Sequence, residues 1–199
     1  MALSRYVIAL AAAGSLSIAA AAPALAGAPA VAADQPPAVE RVDVNRYLGT
    51  WFQVAAVPQL FEIQCAKNVK ADYTLTAAGA VGVRNSCTTW LNTTSSVTGE
   101  AKSLDASNAR LNVSFLKIAG SYLHSDDANY IVTGLDPAYR WAVVTDSDRQ
   151  SGFVLSRTPA LDGAQLDAVR GSIRAAGLDA CDFRVTRQDG AARTSGRLC

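Results

Sequence analysis

The sequence predicts an all-β fold, an eight-stranded antiparallel up-and-down β-barrel with one C-terminal α-helix packed on the outside. Three observations carry this reading. Between residues 49 and 157 the chain keeps producing short segments that alternate apolar and polar side chains. Hairpin-length turn signals separate them, with no helical periodicity in between. A single amphipathic stretch follows at 159–177. Eight strands in a meander can close on themselves, which removes the sheet edges and leaves a mouth that holds one small ligand.

The elements follow in chain order. Residues 1–26 read as a secretory signal peptide: Arg5 supplies a short basic start, residues 6–22 are rich in Ala, Leu, Ile and Val, and Ala24-Leu25-Ala26 offers a small-x-small cleavage site. A membrane anchor is the competing reading; the Ala richness, and the proline and small residues that follow, favour cleavage. The first cysteine is Cys65, far from the cleavage site. The product is therefore expected to carry no lipid anchor and no integral membrane segment. Residues 27–40 are Ala- and Pro-rich and read as a flexible lead-in, which leaves 41–199 as the folded domain. Without Arg5, Lys plus Arg and Asp plus Glu stand equal at 17 each. That balance argues against a surface for nucleic acid or anionic membrane.

Candidate strands are 50–57, 68–76, 80–90, 96–103, 109–118, 129–135, 141–145 and 152–157. The breaks between them include TAAGA, LDASN, SDDAN, LDPAY and TDSDRQSG. Period-two alternation sorts each strand into two faces. In 68–76 the apolar set is Val69, Ala71, Tyr73 and Leu75; in 109–118 it is Leu111, Val113 and Phe115; in 152–157 Phe153 and Leu155 share a face with Arg157. Such an inward face either packs solid or lines a lipophilic cavity. The helix is expected to start at Pro159, with Asp162 as a plausible N-cap, and to stop at Gly177. Its narrow stripe of Leu166, Val169, Ile173 and Ala176 suits the outer wall of a barrel.

Four cysteines in an exported chain read as two disulfides, with three connectivities open. Cys65–Cys87 and Cys181–Cys199 close the shortest loops, each contributing about 3 kcal/mol in the chain-entropy picture. Zinc is disfavoured, because there is no CxxC pair and His124 is the single histidine. No metal and no cofactor are expected.

Three passages, in order, are NRYLGTWF at 45–52, DPAYRWAVVTD at 136–146 and FVLSRTP at 153–159. Together with the helix that follows, they resemble the lipocalin family, in its bacterial branch similar to apolipoprotein D. The resemblance covers residues 42–180 or so. It implies that Trp51 plugs one end of the barrel and that Arg157, on the last strand, lies across its ring as a cation–π partner. Gly49 is expected to let the entering backbone approach closely. The opening motif is then structural, and the other end is free to bind. The resemblance also implies the ligand class, a small lipophile such as a fatty acid or lysophospholipid, held for transport or sequestration.

The expected ligand-binding residues are Tyr73, Asn85, Val113, Phe115, Tyr130, Trp141 and Phe153, with Val69, Ala71, Val83, Leu111 and Val132 as further lining. Asn85 and the tips of Tyr73, Tyr130 and Trp141 favour a cavity, since a polar group inside a barrel needs a partner. No catalytic residue is expected. His124 sits in a polar stretch beside Asp126 and Asp127 and reads as a solvated loop residue, there is no Gly-x-Ser-x-Gly elbow, and the acidic residues fall mostly in turns. Two alternatives stay open: a lipocalin-fold enzyme acting on a lipophile, which needs a titratable group in the cavity, and a filled barrel that uses its open-end loops for interaction. The protein is expected outside the cell or in a periplasm, as a monomer or weak dimer.

Overall fold

The computed structural model describes residues 35–77, 79–192 and 195–199. The expected signal at 1–26 and the first part of the lead-in, 27–34, lie outside the described residues. The remainder of the lead-in is tied down rather than flexible. Pro36 is fully buried, Arg110 donates to Gln35 Oε1 and to Pro36 O at 3.2 and 2.9 Å, and the Val39 N–H donates to Val132 O at 2.8 Å. A short helix α1 (Val44–Tyr47) follows, capped by the Asp43 carboxylate on the amides of Asn45 and Arg46.

Alternating β-formers then build β1 (Gly49–Ala56), β2 (Cys65–Leu75), β3 (Val81–Thr89), β4 (Thr94–Ser103) and β5 (Arg110–Ser114). A small hairpin, β6 (Lys117–Ile118) and β7 (Ser121–Tyr122), precedes β8 (Tyr130–Leu135), β9 (Trp141–Thr145) and β10 (Gly152–Ser156). Apart from the hairpin, each strand pairs antiparallel with the next, and β10 returns to β1 through Phe52↔Ser156 to Ala56↔Phe153. The eight-stranded barrel is closed.

The strand expected over 109–118 ends at Ser114. Its ladder with β8 covers only Arg110↔Ile131 and Leu111↔Tyr130. Beyond that the Asn129 side chain substitutes for a strand, accepting from the Val113 N–H at 2.7 Å and donating to Val113 O at 2.9 Å. Such a local side-chain bond competes with ladder pairing. β2, by contrast, begins at Cys65 rather than 68, through irregular pairing with β3 and a left-handed Asn68 (φ 57°).

Helix α2 (Gly163–Ala175) starts after Asp162 rather than at Pro159, because Asp162 and Gln165 form a reciprocal capping box. Gly177 ends it at φ 77°, a conformation that favours glycine. Val169 and Ile173 are fully buried against the outer wall, with Trp141, Val143 and Val154. The barrel interior forms a separate cluster that includes Trp51, Tyr73, Val83, Ala142, Val144 and Leu155.

The tail after α2 repairs a gap in the wall. β1 pairs with β2 only from Gly49 to Phe52, and beyond that point the two strands part. β11 (Arg184–Val185) pairs instead with Ala55 and Ala56. The Thr186 N–H donates to Val54 O at 2.9 Å, and the Asn68 N–H donates to Arg187 O at 2.8 Å. The Gln188 side-chain amide bridges both strands, donating to Gln53 O and Val69 O at 2.8 Å each. Backbone groups exposed by the parting strands are thus satisfied. Cys181–Cys199 ties the tail to the end of the chain, and Cys65–Cys87 ties β2 to β3.

Candidate ligand-binding site

One end of the barrel is sealed by aromatic packing. The Trp51 ring is completely buried, and its Nε1–H donates to Tyr47 O at 2.7 Å. The Arg157 guanidinium lies 3.8 Å from the ring centroid and donates to the carbonyls of Thr50, Arg46 and Leu48 at 2.7–2.9 Å. Gly49 is required by its backbone, at φ 91°, more than by close approach: a Cβ there would meet Arg157 Nη1 at 3.5 Å, an ordinary contact. The 136–140 turn belongs to the same seal. The Asp136 carboxylate takes the Arg140 guanidinium at 2.7 and 2.9 Å, and the Tyr139 hydroxyl accepts from the Asp43 N–H at 2.8 Å. The Arg140 bonds hold the Asp136 carboxyl below its ordinary range.

Above the seal, three phenols form the floor of the interior. The Tyr130 hydroxyl lies 2.9 Å from the hydroxyls of both Tyr47 and Tyr73. Burial pushes the Tyr73 phenol up to about 12 and those of Tyr47 and Tyr130 well above their ordinary value. The floor is therefore neutral at any physiological pH, with its hydroxyls bonded to one another.

Above Tyr130, the one phenol of the three that reaches its lining, a cavity of about 690 Å³ rises to the opposite end. Val83, Val113, Tyr130, Phe153 and Leu155 line it, with Val69, Ala71 and Asn85 on the β2–β3 wall and Val97 and Phe115 towards the mouth. Of the sequence-predicted set, Asn85, Val113, Phe115, Tyr130 and Phe153 share this lining. Tyr73 does not, because it lies deeper, where it borders a void of about 30 Å³ together with Leu111 and Val132. Trp141 is corrected outright: its ring belongs to the outer cluster beneath α2. β9 is buried at all five positions, because the helix covers its outer face while the interior covers the other. In-facing Ala142 and Val144 hold the interior positions.

The structure adds polar groups that alternation did not reveal. Gln53 on β1 and Glu62 both line the cavity, and the Gln53 side-chain amide donates to Glu62 Oε2 at 3.2 Å. Glu62 reaches the lining from a single 3-10 turn, Leu60–Glu62, in the loop after β1. Burial raises its carboxyl above the ordinary value, and the Gln53 bond opposes that rise only in part. No strand period marks a loop residue, so the sequence carried no signal for it. Asp146, also in the lining, is engaged by the Gln150 N–H and the Ser151 hydroxyl.

His124 is not the solvated loop residue that its neighbours imply. Its ring is largely buried, with Nδ1 3.1 Å from Asn112 Oδ1 and Nε2 3.3 Å from Glu100. Its acidic partner is Glu100 rather than Asp126 or Asp127, and it does not line the cavity. Among the described residues no cluster of His, Cys, Asp and Glu could hold a metal ion, and no helix is long and apolar enough to cross a membrane.

Known proteins resemble this chain in sequence and in fold. The family model of the lipocalin-like domain matches residues 42–188. Temperature-induced lipocalin-1 of Arabidopsis thaliana is 29% identical over 127 residues, covering 62% of this chain and 67% of that one. The outer membrane lipoprotein Blc of Citrobacter freundii is 35% identical over 131 residues, covering 62% of this chain and 66% of its own. The chain thus spans about two thirds of the length of these two relatives. Blc of Escherichia coli strain K12 is 31% identical over 158 residues, covering 76% of this chain and 82% of that one. Mouse apolipoprotein D is 27% identical over 158 residues, covering 77% and 80%. Among solved structures, insecticyanin of the tobacco hornworm Manduca sexta superposes with a TM-score of 0.59 at 18% identity, covering 81% of this chain and 92% of that one. A barrel sealed by Trp51 and Arg157, a helix on its outer wall and a family match across most of the folded chain lead to one conclusion: this protein belongs to the lipocalin family.

Proposed function

We propose that this chain is an exported carrier that takes one small lipophile, a fatty acid, lysophospholipid or similar molecule, into the barrel for transport or sequestration. The observation that carries the reading is the cavity itself, about 690 Å³, sealed at one end and walled by Val83, Val113, Phe153 and Leu155. That volume lies within the range of small-molecule sites, and polar groups in its wall, Gln53, Glu62 and Asn85 among them, suit an amphiphile's head. The relatives named as an outer membrane lipoprotein and an apolipoprotein support a lipid-associated role. Two disulfides support an oxidising compartment, in keeping with the signal-like residues 1–26.

A second reading, turnover of the lipophile, draws on Glu62, which is a titratable group in the cavity wall with a raised pKa. Its one side-chain bond is to Gln53, and among the described residues no hydrogen bond or ion pair joins it to Lys70 or Asp146, the other charged groups of the lining, so binding is the better account. Native mass spectrometry of protein purified without detergent and then offered palmitate and lysophosphatidylcholine separates the two. One intact lipid retained per chain supports the carrier. Conversion of either lipid to a product of different mass supports the enzyme.

A further inference from the structure

The described residues leave eleven large apolar side chains exposed, and ten of them surround the mouth of the barrel. Only Leu75 lies at the sealed end. The ten come from three separate places: the loop 57–64, the tip 90–93 with neighbouring Val97, and the segment 115–123 that carries the β6–β7 hairpin. Leu60 is 88% exposed, Leu91 86%, Ile63 74% and Trp90 73%. Isolated exposed apolar residues need no explanation, but a contiguous group around one opening marks a contact surface.

We propose that this rim docks on a lipid bilayer, with Leu60, Ile63, Trp90, Leu91 and the Leu116–Ile118 region entering its interfacial layer and the cavity mouth facing the membrane. Three features point to a bilayer rather than to another protein. The Trp90 indole Nε1–H already donates to Ile63 O at 2.8 Å. The ring's one polar atom is satisfied within the protein, so the ring can leave water without losing a hydrogen bond, and the same bond locks two loops into one platform. Charge is almost absent: across 57–64, 90–93 and 115–123 the only ionisable acid is Glu62, half-buried against Gln53, and the only base is Lys117, above the Tyr122 ring. The fourth mouth loop, 146–151, carries Asp146, Asp148 and Arg149 and stays in water, which fixes a tilt.

Shape is the third feature. The apolar side chains stand on three separate loops around an opening, and a fluid surface can follow such a rim where a rigid partner cannot. Val97 and Phe115 belong to both the rim and the cavity lining, so the apolar surface runs without a break from the membrane side into the barrel. A lipid chain could then pass between bilayer and cavity without crossing water. The rim contact does not depend on which molecule the cavity holds, so an empty cavity would leave it standing.

The test is flotation of the purified protein with phosphatidylcholine vesicles, followed by quenching with brominated phosphatidylcholine. Trp51 and Trp141 are buried, so bromine in the bilayer reports on Trp90 alone. The proposal expects co-flotation, quenching of the exposed-tryptophan emission, and little change in binding with added salt. It also expects a Leu60→Ser, Ile63→Ser, Leu91→Ser variant to lose at least about tenfold in partitioning, in line with the lost apolar area, while still binding an anthroyloxy-labelled stearate like the wild type. None of those three residues lines the cavity. Absence of flotation, or flotation that the triple variant leaves unchanged, overturns it. So does a lipid-independent dimer in sedimentation that the same variant abolishes, since the rim would then be a surface between copies of this chain.

Discussion

The Arg157 guanidinium lies over the Trp51 ring, 3.8 Å from its centroid, and at the same time donates to three backbone carbonyls, those of Arg46, Leu48 and Thr50. The last barrel strand is thereby bonded to the chain entering the first, over the ring that plugs the sealed end. One cation covers apolar surface and satisfies carbonyls that the turn at Gly49 leaves unpaired.

Trp51→Ala removes a fully buried aromatic and is expected to destabilise by about 3–5 kcal/mol. Arg157→Ala is expected to cost less, about 1–3 kcal/mol, from the cation–π contact and the lost carbonyl bonds. Arg157→Lys should recover little, because an ammonium cannot span three carbonyls in one plane. Urea denaturation midpoints check all three. An unchanged midpoint for Trp51→Ala contradicts the seal.

The tail makes a second prediction. Its residues 184–188 hold the parted ends of β1 and β2 through Thr186, Arg187 and Gln188. Replacing Cys181 and Cys199 together with Ser should cost about 3 kcal/mol in the chain-entropy picture. Amide exchange should accelerate at Val185, Thr186 and Leu198 before it does in β3 or β4. Unchanged protection at Thr186 would mean that the tail holds the seam without its disulfide.

Glu62 gives a pH signature. Burial raises its folded carboxyl above the ordinary value of 4.5, so the folded state holds the proton more tightly than the unfolded chain. Its contribution to stability is therefore fully present below the unfolded value and declines as pH rises through the folded one. Glu62→Gln should remove that decline while keeping the Gln53 contact. Comparing melting temperatures of the two proteins from pH 4 to pH 8 checks the sign; a gap between them that does not vary with pH contradicts the buried carboxyl.

How much of this architecture could be read from residues alone differed by element. Alternation located all eight barrel strands, because a half-buried strand imposes period two on its side chains. It does not say which face of β9 points inward, since α2 buries the outer face as well, so the residues alone place Trp141 in the lining. Asp162 and Gly177 marked the bounds of α2, because caps act locally. The tail was opaque: β11 is two residues long, and its role depends on where β1 and β2 diverge, 130 or so residues earlier in the chain. Asn85, Val113 and Phe153 were legible as lining from strand parity, whereas Gln53 required the register of β1 and Glu62 required the fold of a loop.

The proposed function requires that the cavity above the Trp51 seal take up one lipid chain. Isothermal titration with saturated fatty acids of increasing length, on the wild type and on Val113→Asp, tests it most directly. Each added methylene is worth up to about 0.8 kcal/mol, or about fourfold in affinity, less the cost of ordering the chain. Binding is expected to be one-to-one, to tighten with length until the cavity is full, and to be lost in folded Val113→Asp. Absence of saturable binding at every length, or affinity indifferent to both chain length and Val113→Asp, would contradict it.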